Sequence, residues 1–269
     1  MKKDLTEFYN WLLLNCSAKA SANCHVEKLK DYFRHSEIFN QESINNFLIQ
    51  KQEKFQTTTF NIYLNAFKWY AKFLKIELEF PHFKRVNVKV KHYITLDELE
   101  DILKQINLIF RNPHKIQTIL NLMFETGIRP KELITLTRKD IDFEKKSMLL
   151  RNTKTFQDRI IPLTNIMCKN LLEYFNQEAE QTNAFNISKT ILKYIFMQIN
   201  QKCVNLKNKL SPYTMRRSFA HNLQDIGAEL SSIQHGMGHK DINTTFKYLN
   251  NSNEKARDEI RTLLNKQRR

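Results

Sequence analysis

Glycine and proline are almost missing from this chain, with 4 and 5 among 269 residues. Few turn-formers combined with long stretches of apolar residues at helical spacing predict a mainly α-helical protein. Residues 1–80 read as several short amphipathic helices. Leu5, Phe8, Tyr9 and Leu12 share one face, as do Val26, Leu29 and Phe33, and then Ile44, Phe47 and Leu48. The clearest run is Phe60, Tyr63, Leu64, Phe67, Tyr70, Ala71 and Leu74, with Thr57–Thr59 as cap candidates. Four such helices make a small bundle, and their aromatic residues are expected in its core rather than stacked on a ligand.

Residues 81–92, PHFKRVNVKVKH, break the periodicity. They open with proline and alternate basic with apolar residues, which suggests a basic linker between domains. A second domain then spans 93–269. It opens with a capping box, Thr95-Leu-Asp-Glu98, followed by Leu99, Ile102, Leu103 and Ile106 at helical spacing. The next helix carries Ile116, Ile119, Leu120, Met123 and Phe124 and stops at Gly127, and Pro130 suits the first position of the one after. Met148–Arg151 and Arg159–Leu163 flank a polar turn and predict a β-hairpin. Helices are expected again from Asn165, from Ser188 and from Ser211-Pro212. The fold class is therefore mainly α with a small β-hairpin or sheet (α+β), in two domains.

The formal net charge is +15 and the isoelectric point about 9.6. Residues 1–90 carry a net +5 and residues 91–269 a net +10, so both parts are basic and there is no detachable basic tail. A polyanion gripped by both domains fits this distribution, and a lysine-rich genome would also produce it. Cys16, Cys24, Cys168 and Cys203 are widely spaced, which suggests neither a zinc site nor a disulfide framework. The N-terminus is charged too early for a signal peptide and no apolar run approaches membrane-spanning length, so a cytoplasmic protein without membrane contact is expected.

Three separated segments carry candidate chemistry. In TGIRPKEL, Thr126–Leu133, Arg129 lies between a helix-ending glycine and a helix-starting proline. In SPYTMRRSFA, Ser211–Ala220, Tyr213 and Arg216 stand at i and i+3 on one helix face. In MGHKDINTTFKY, Met237–Tyr248, a Gly-His pair ends a short helix and Tyr248 follows nine residues after His239. Taken singly, each also reads as a surface arginine, a basic helix face with a packed tyrosine, or a helix-end histidine. Taken together and in order, Arg129, Glu132, Lys154, Arg216, Gly238-His239 and Tyr248 resemble the tyrosine recombinase or phage integrase family, including Xer-type resolvases. That family has an arginine after a TG turn with an acid three residues on, and a lysine on a β-hairpin. His-x-x-Arg follows, then Gly-His and a nucleophilic tyrosine. The resemblance covers roughly 95–250.

The resemblance implies a two-domain clamp, with a helical core-binding domain at 1–80 and a catalytic domain at 93–269 closing on double-stranded DNA at a specific site. Arg129 and Arg216 would hold the charge that builds on the scissile phosphate as bidentate forks, without a metal ion. Lys154 would protonate the leaving 5′ oxygen, His239 would hydrogen-bond the phosphate and Glu132 would orient its neighbours. Tyr248 would form a 3′-phosphotyrosine that a second 5′ hydroxyl reverses, so no ATP and no cofactor are needed. Strand exchange between two sites implies a homotetramer, and residues 254–269, with Ile260, Leu263 and Leu264 on one helix face, would form a tail helix passed to the next subunit. One departure stands out: Tyr213 occupies the usual histidine position, and a phenol of pKa about 10 is a poorer proton shuttle than an imidazole of about 6.5. The role of Arg217 is open. Two other readings use the same residues: a type IB topoisomerase-like relaxase, and a non-enzymatic DNA-binding regulator on the same fold.

Overall fold

The computed structural model describes residues 5–15, 18–84, 92–151, 158–177, 183–204 and 206–238. The backbone divides into two compact units, Met1–Val88 and Lys89–Arg269. Much of the expected linker (85–91) lies outside the described residues, as do Lys154, His239, Tyr248 and the tail at 254–269.

The first unit consists of α1 (Leu5–Asn15), α2 (Lys19–Phe33), α3 (Gln41–Gln52) and α4 (Thr57–Leu74). The apolar faces read from the sequence supply its core: Phe8, Leu12, Leu29, Ile44, Leu64, Phe67 and Tyr70 are fully buried, and Tyr32, which belongs to none of those faces, is buried with them. Aromatic rings dominate the packing. Tyr32 meets Phe47 and Phe67 edge-on with centroids 5.1 and 5.0 Å apart, and Phe8 meets Tyr70 at 5.0 Å. The expectation that Thr57–Thr59 cap α4 is not met. Gln56 is the N-cap, without a side-chain bond, and the threonines form the first helical turn. An extended Gln56 and the burial of Phe60 set that boundary more strongly than a hydroxyl does.

The second unit has seven α-helices and one sheet among its described residues. They are α5 (Leu96–Ile109), α6 (Pro113–Thr126), α7 (Pro130–Thr135), β1 (Ile141–Asp142), β2 (Ser147–Leu150), β3 (Arg159–Pro162), α8 (Asn165–Gln177), α9 (Lys189–Lys202), α10 (Pro212–Asp225) and α11 (Leu230–Met237). Sequence punctuation places most of the boundaries. Thr95 and Glu98 close a reciprocal capping box, Ser188 and Ser211 accept from backbone N–H groups of α9 and α10, and Gly127 and Gly238 end α6 and α11 in the left-handed conformation. The hairpin is antiparallel with Leu150 opposite Arg159, and a short β1 adds a third strand through Ile141 opposite Met148. Ile119, Leu120, Leu122, Met123, Met148, Leu171, Phe185, Ile199 and Met215 are fully buried at the centre of one core that α5, α6, α8, α9 and α10 share with the sheet.

The start of this unit is tied to α10. Arg217 Nη1 donates to the His92 carbonyl at 2.8 Å, Ile94 N donates to Ser218 Oγ at 2.9 Å, and the Tyr93 ring stacks on His221 with centroids 4.0 Å apart. Arg217 thus has a structural partner at the point where the chain enters the unit. No described helix is long and apolar enough to cross a membrane.

Candidate active site

Two turns meet at the centre of the site. The first is the junction of α6 and α7, Gly127-Ile128-Arg129. The second is the end of α11, Met237-Gly238. Gly127 has φ +57, and a Cβ there would overlap the Phe219 ring of α10, so only glycine lets α6 end against that helix. Arg129 is the N-cap of α7 and Pro130 its first residue, which holds the arginine backbone extended at φ −70, ψ 148.

Glu132 binds the first turn together. Its Oε2 accepts the Arg129 backbone N–H at 2.8 Å, and its Oε1 accepts Arg129 Nη1 at 2.7 Å. Arg129 Nη2 also donates to the Gly238 carbonyl at 2.6 Å, joining the two turns directly. The Arg129 side chain keeps 29% of its surface exposed, whereas that of Glu132 keeps 6%. Arg216, reaching in from α10, donates to the carbonyls of Gly127 and Met237, one on each turn. It is 1% exposed, and these two bonds fix the plane of its guanidinium.

Sequence reasoning missed one member of this cluster. Arg159, the first residue of β3, places Nη1 and Nη2 2.8 and 3.0 Å from the two oxygens of Glu132 and Nε 3.0 Å from the Gly236 carbonyl. Strand phase holds the signal. Arg159, Ile161 and Leu163 all point inward, at 5, 3 and 6% exposure, while Ile160 points out at 61%. A charge on the buried phase of a strand needs a buried partner, and the acid three residues after Arg129 was available.

Burial by itself would raise the Glu132 pKa. The hydrogen bonds and charge of Arg159, followed by the Arg129 backbone and side-chain bonds, outweigh it and bring the carboxyl down to about 2. The contacts just described join two guanidinium groups, those of Arg129 and Arg159, to one carboxylate, while Arg216 binds the carbonyls of the two turns beside it.

The structure therefore brings Arg129, Glu132 and Arg216 together at the turn that leads into His239. Tyr213 and Arg216 sit one turn apart on α10 but differ in depth: Tyr213, in the open first turn, is 57% exposed. No group of three or more His, Cys, Asp or Glu side chains able to hold a metal ion occurs among the described residues.

Arg129 and Arg159 share one carboxylate, and with Arg216 they place three fixed guanidinium groups beside the two turns of a mainly helical domain. Residues 92–255, more than half of the chain, match the phage integrase family, and the chain belongs to that family as a tyrosine recombinase. The tyrosine recombinase XerA of Pyrococcus horikoshii is 24% identical over 264 residues, spanning 95% of this chain and 92% of its own. XerD of Staphylococcus haemolyticus is 27% identical over 210 residues, or 71% and 67% of the two chains. Among solved structures, the Tn1549 transposon integrase in complex with a circular intermediate DNA superposes with a TM-score of 0.73 at 18% identity, over 96% of this chain and 99% of that one. A lambda integrase dimer bound to a core site gives 0.72 at 14% identity, over 91% and 93%. At these identities the structural likeness establishes the fold.

Proposed function

We propose that this chain is a site-specific recombinase that cleaves and rejoins duplex DNA through a 3′-phosphotyrosine on Tyr248. The observation that carries the reading is the cluster in which Arg129, held by Glu132, and Arg216, from a separate stretch of chain, donate to the carbonyls of Gly238 and Met237, next to His239 in sequence. In-line attack on a phosphodiester spreads negative charge over the non-bridging oxygens, and fixed guanidinium groups stabilise it without reorganising. Arg129, the more exposed of the two motif arginines, offers its open edge to the phosphate. Arg216 sets the two turns and adds its charge from the interior. Tyr213 presents a phenol able to donate to a phosphate oxygen, and Glu132 orients the arginines without touching DNA.

Tyr248 loses its phenolic proton to water and its Oη bonds to phosphorus as the bond to the 5′ oxygen breaks, while Lys154 gives that oxygen its proton and regains one from water. Because the phosphodiester energy stays in the tyrosyl ester, a 5′ hydroxyl from a second duplex reverses the step without ATP. Helices α1–α4 serve as the core-binding module and residues 81–92 as the linker, so the two basic units clamp the duplex. Their contacts with phosphates make binding fall steeply with salt. Exchange between two sites calls for a homotetramer, working in the cytoplasm where the DNA is. The DNA complexes in which the transposon and lambda integrases were solved support a duplex substrate.

The test is a pool of duplexes of random sequence, each nicked so that cleavage releases a short 5′-hydroxyl fragment that diffuses away. The parent protein is expected to leave an adduct that survives denaturing electrophoresis, recovered on a restricted set of sequences, and Tyr248→Phe none. Binding without any adduct would turn the reading into a DNA-binding regulator. Relaxation of supercoiled DNA with no sequence preference would turn it into a relaxase.

A further inference from the structure

We propose that Arg159 is a positioning residue that leaves a net positive charge at Arg129 facing the scissile phosphate and fixes the turn leading into His239, a role that rests on the function proposed above. Its guanidinium is used on two sides. The two terminal nitrogens form a parallel fork on Glu132, and Nε holds the Gly236 carbonyl in the last turn of α11. The fork also fills the space beside Gly238. A Cβ at that residue would lie 2.9 Å from Arg159 Nη1, so the glycine that ends α11 at φ +60 is also the residue that admits this arginine.

The electrostatic consequence follows from the sharing of one carboxylate. Glu132 Oε1 accepts from both Arg129 Nη1 and Arg159 Nη1, at 2.7 and 2.8 Å. Two cations on one anion leave a net positive charge, and the more exposed of the two, Arg129, presents it outward. Without Arg159 the same carboxylate neutralises Arg129 alone, and the pair has little left to offer a phosphate. Arg159 also starts β3, the strand that follows the segment containing Lys154. One side chain thus joins the hairpin to the Arg129 junction and to the end of α11. The Arg159 side chain is 4% exposed, so it acts through its neighbours and not by touching DNA.

The experiment measures single-turnover cleavage by the full chain on a nicked duplex recovered from the random pool. One substrate carries an ordinary phosphodiester at the scissile position and the other a neutral methylphosphonate. Arg159→Met keeps most of the side-chain length and removes the charge. Arg159→Lys keeps the charge and removes the fork. On the phosphodiester, Arg159→Met is expected to slow cleavage about 10- to 100-fold, the range for losing a group that orients a primary ligand. Arg159→Lys should recover part of that rate. On the methylphosphonate, where little charge has to be held, the Met variant should come close to the parent. An equal loss on both substrates would show a general structural defect and overturn the proposal, and so would a parental rate on the phosphodiester. Circular dichroism checks folding, and if Arg159→Met does not fold, the same two-substrate comparison is read on Arg159→Lys. If the parent forms no adduct on any duplex, the recombinase reading fails first, and independently of Arg159.

Discussion

Replacing Glu132 with glutamine removes one negative charge from a buried junction and leaves its shape nearly unchanged. In the parent protein the carboxylate accepts from Arg159 at 2.8 and 3.0 Å and from Arg129 at 2.7 and 2.8 Å. In Glu132→Gln the amide nitrogen faces donors, and the Arg159 charge is left buried without its counter-ion. Removing one partner of a buried pair costs about 3–5 kcal/mol. The pKa gives a second route to the number. A fall from 4.5 to about 2 is worth about 3 kcal/mol at neutral pH. Because the folded pKa is depressed, this stabilisation is complete above about pH 4.5 and is lost as pH falls through about 2. By pH 3 more than half of it is gone, so parent and variant should converge on acidification. Urea unfolding at pH 7, 4.5 and 3 measures this. Trp11 and Trp69 both lie in the first unit, so their fluorescence reports that unit while far-ultraviolet dichroism includes the second. The expected result is an early dichroism transition in Glu132→Gln at pH 7, with an unchanged fluorescence transition. A gap between parent and variant that is the same at pH 7 and pH 3 would refute the argument.

Substitutions centred on two further residues, Gly127 and Tyr213, test the site. Gly127→Ala places a Cβ against the Phe219 ring at a left-handed φ, and should lower stability by about 2–4 kcal/mol in thermal or urea unfolding. Adding Phe219→Leu should recover part of the loss, and parental stability in the single variant would contradict the packing described. Tyr213→Phe should slow cleavage by removing a hydrogen-bond donor, while Tyr213→His, which restores the residue usual in the family, should retain substantial activity. Equal rates for the parent and Tyr213→Phe on the nicked duplex would make Tyr213 a bystander.

The helices were legible because local signals agree with the packing. Thr95, Ser188 and Ser211 cap the helices they precede, and the apolar faces of α1–α4 are the buried ones. Gly127 and Gly238 end helices for the reason their placement suggests, and both are closed in by side chains from distant segments. Those side chains are what local reasoning does not supply. That Phe219 sits over Gly127, or Arg159 over Gly238, depends on how α10 and β3 pack. Arg159 belongs to no short motif, and only its inward phase on β3 marks it. The i and i+3 spacing of Tyr213 and Arg216 gave their shared direction but not their difference in depth, because depth depends on the carbonyls of Gly127 and Met237 that cover Arg216. The contact between Arg129 and Glu132 follows from their three-residue spacing, since an N-cap and its third helical residue meet directly.

The central claim is that Tyr248 carries the DNA, and the most direct measurement is the identity of the residue in the trapped adduct. The covalent complex on a nicked duplex is digested with protease and nuclease, and the peptide that retains a nucleotide is sequenced by mass spectrometry. The account predicts a nucleotide joined through its 3′ phosphate to Tyr248, with a free 5′ hydroxyl on the released fragment. A nucleotide on Tyr213, the exposed phenol one turn from Arg216, or a 5′-phosphate linkage on any residue, would contradict it.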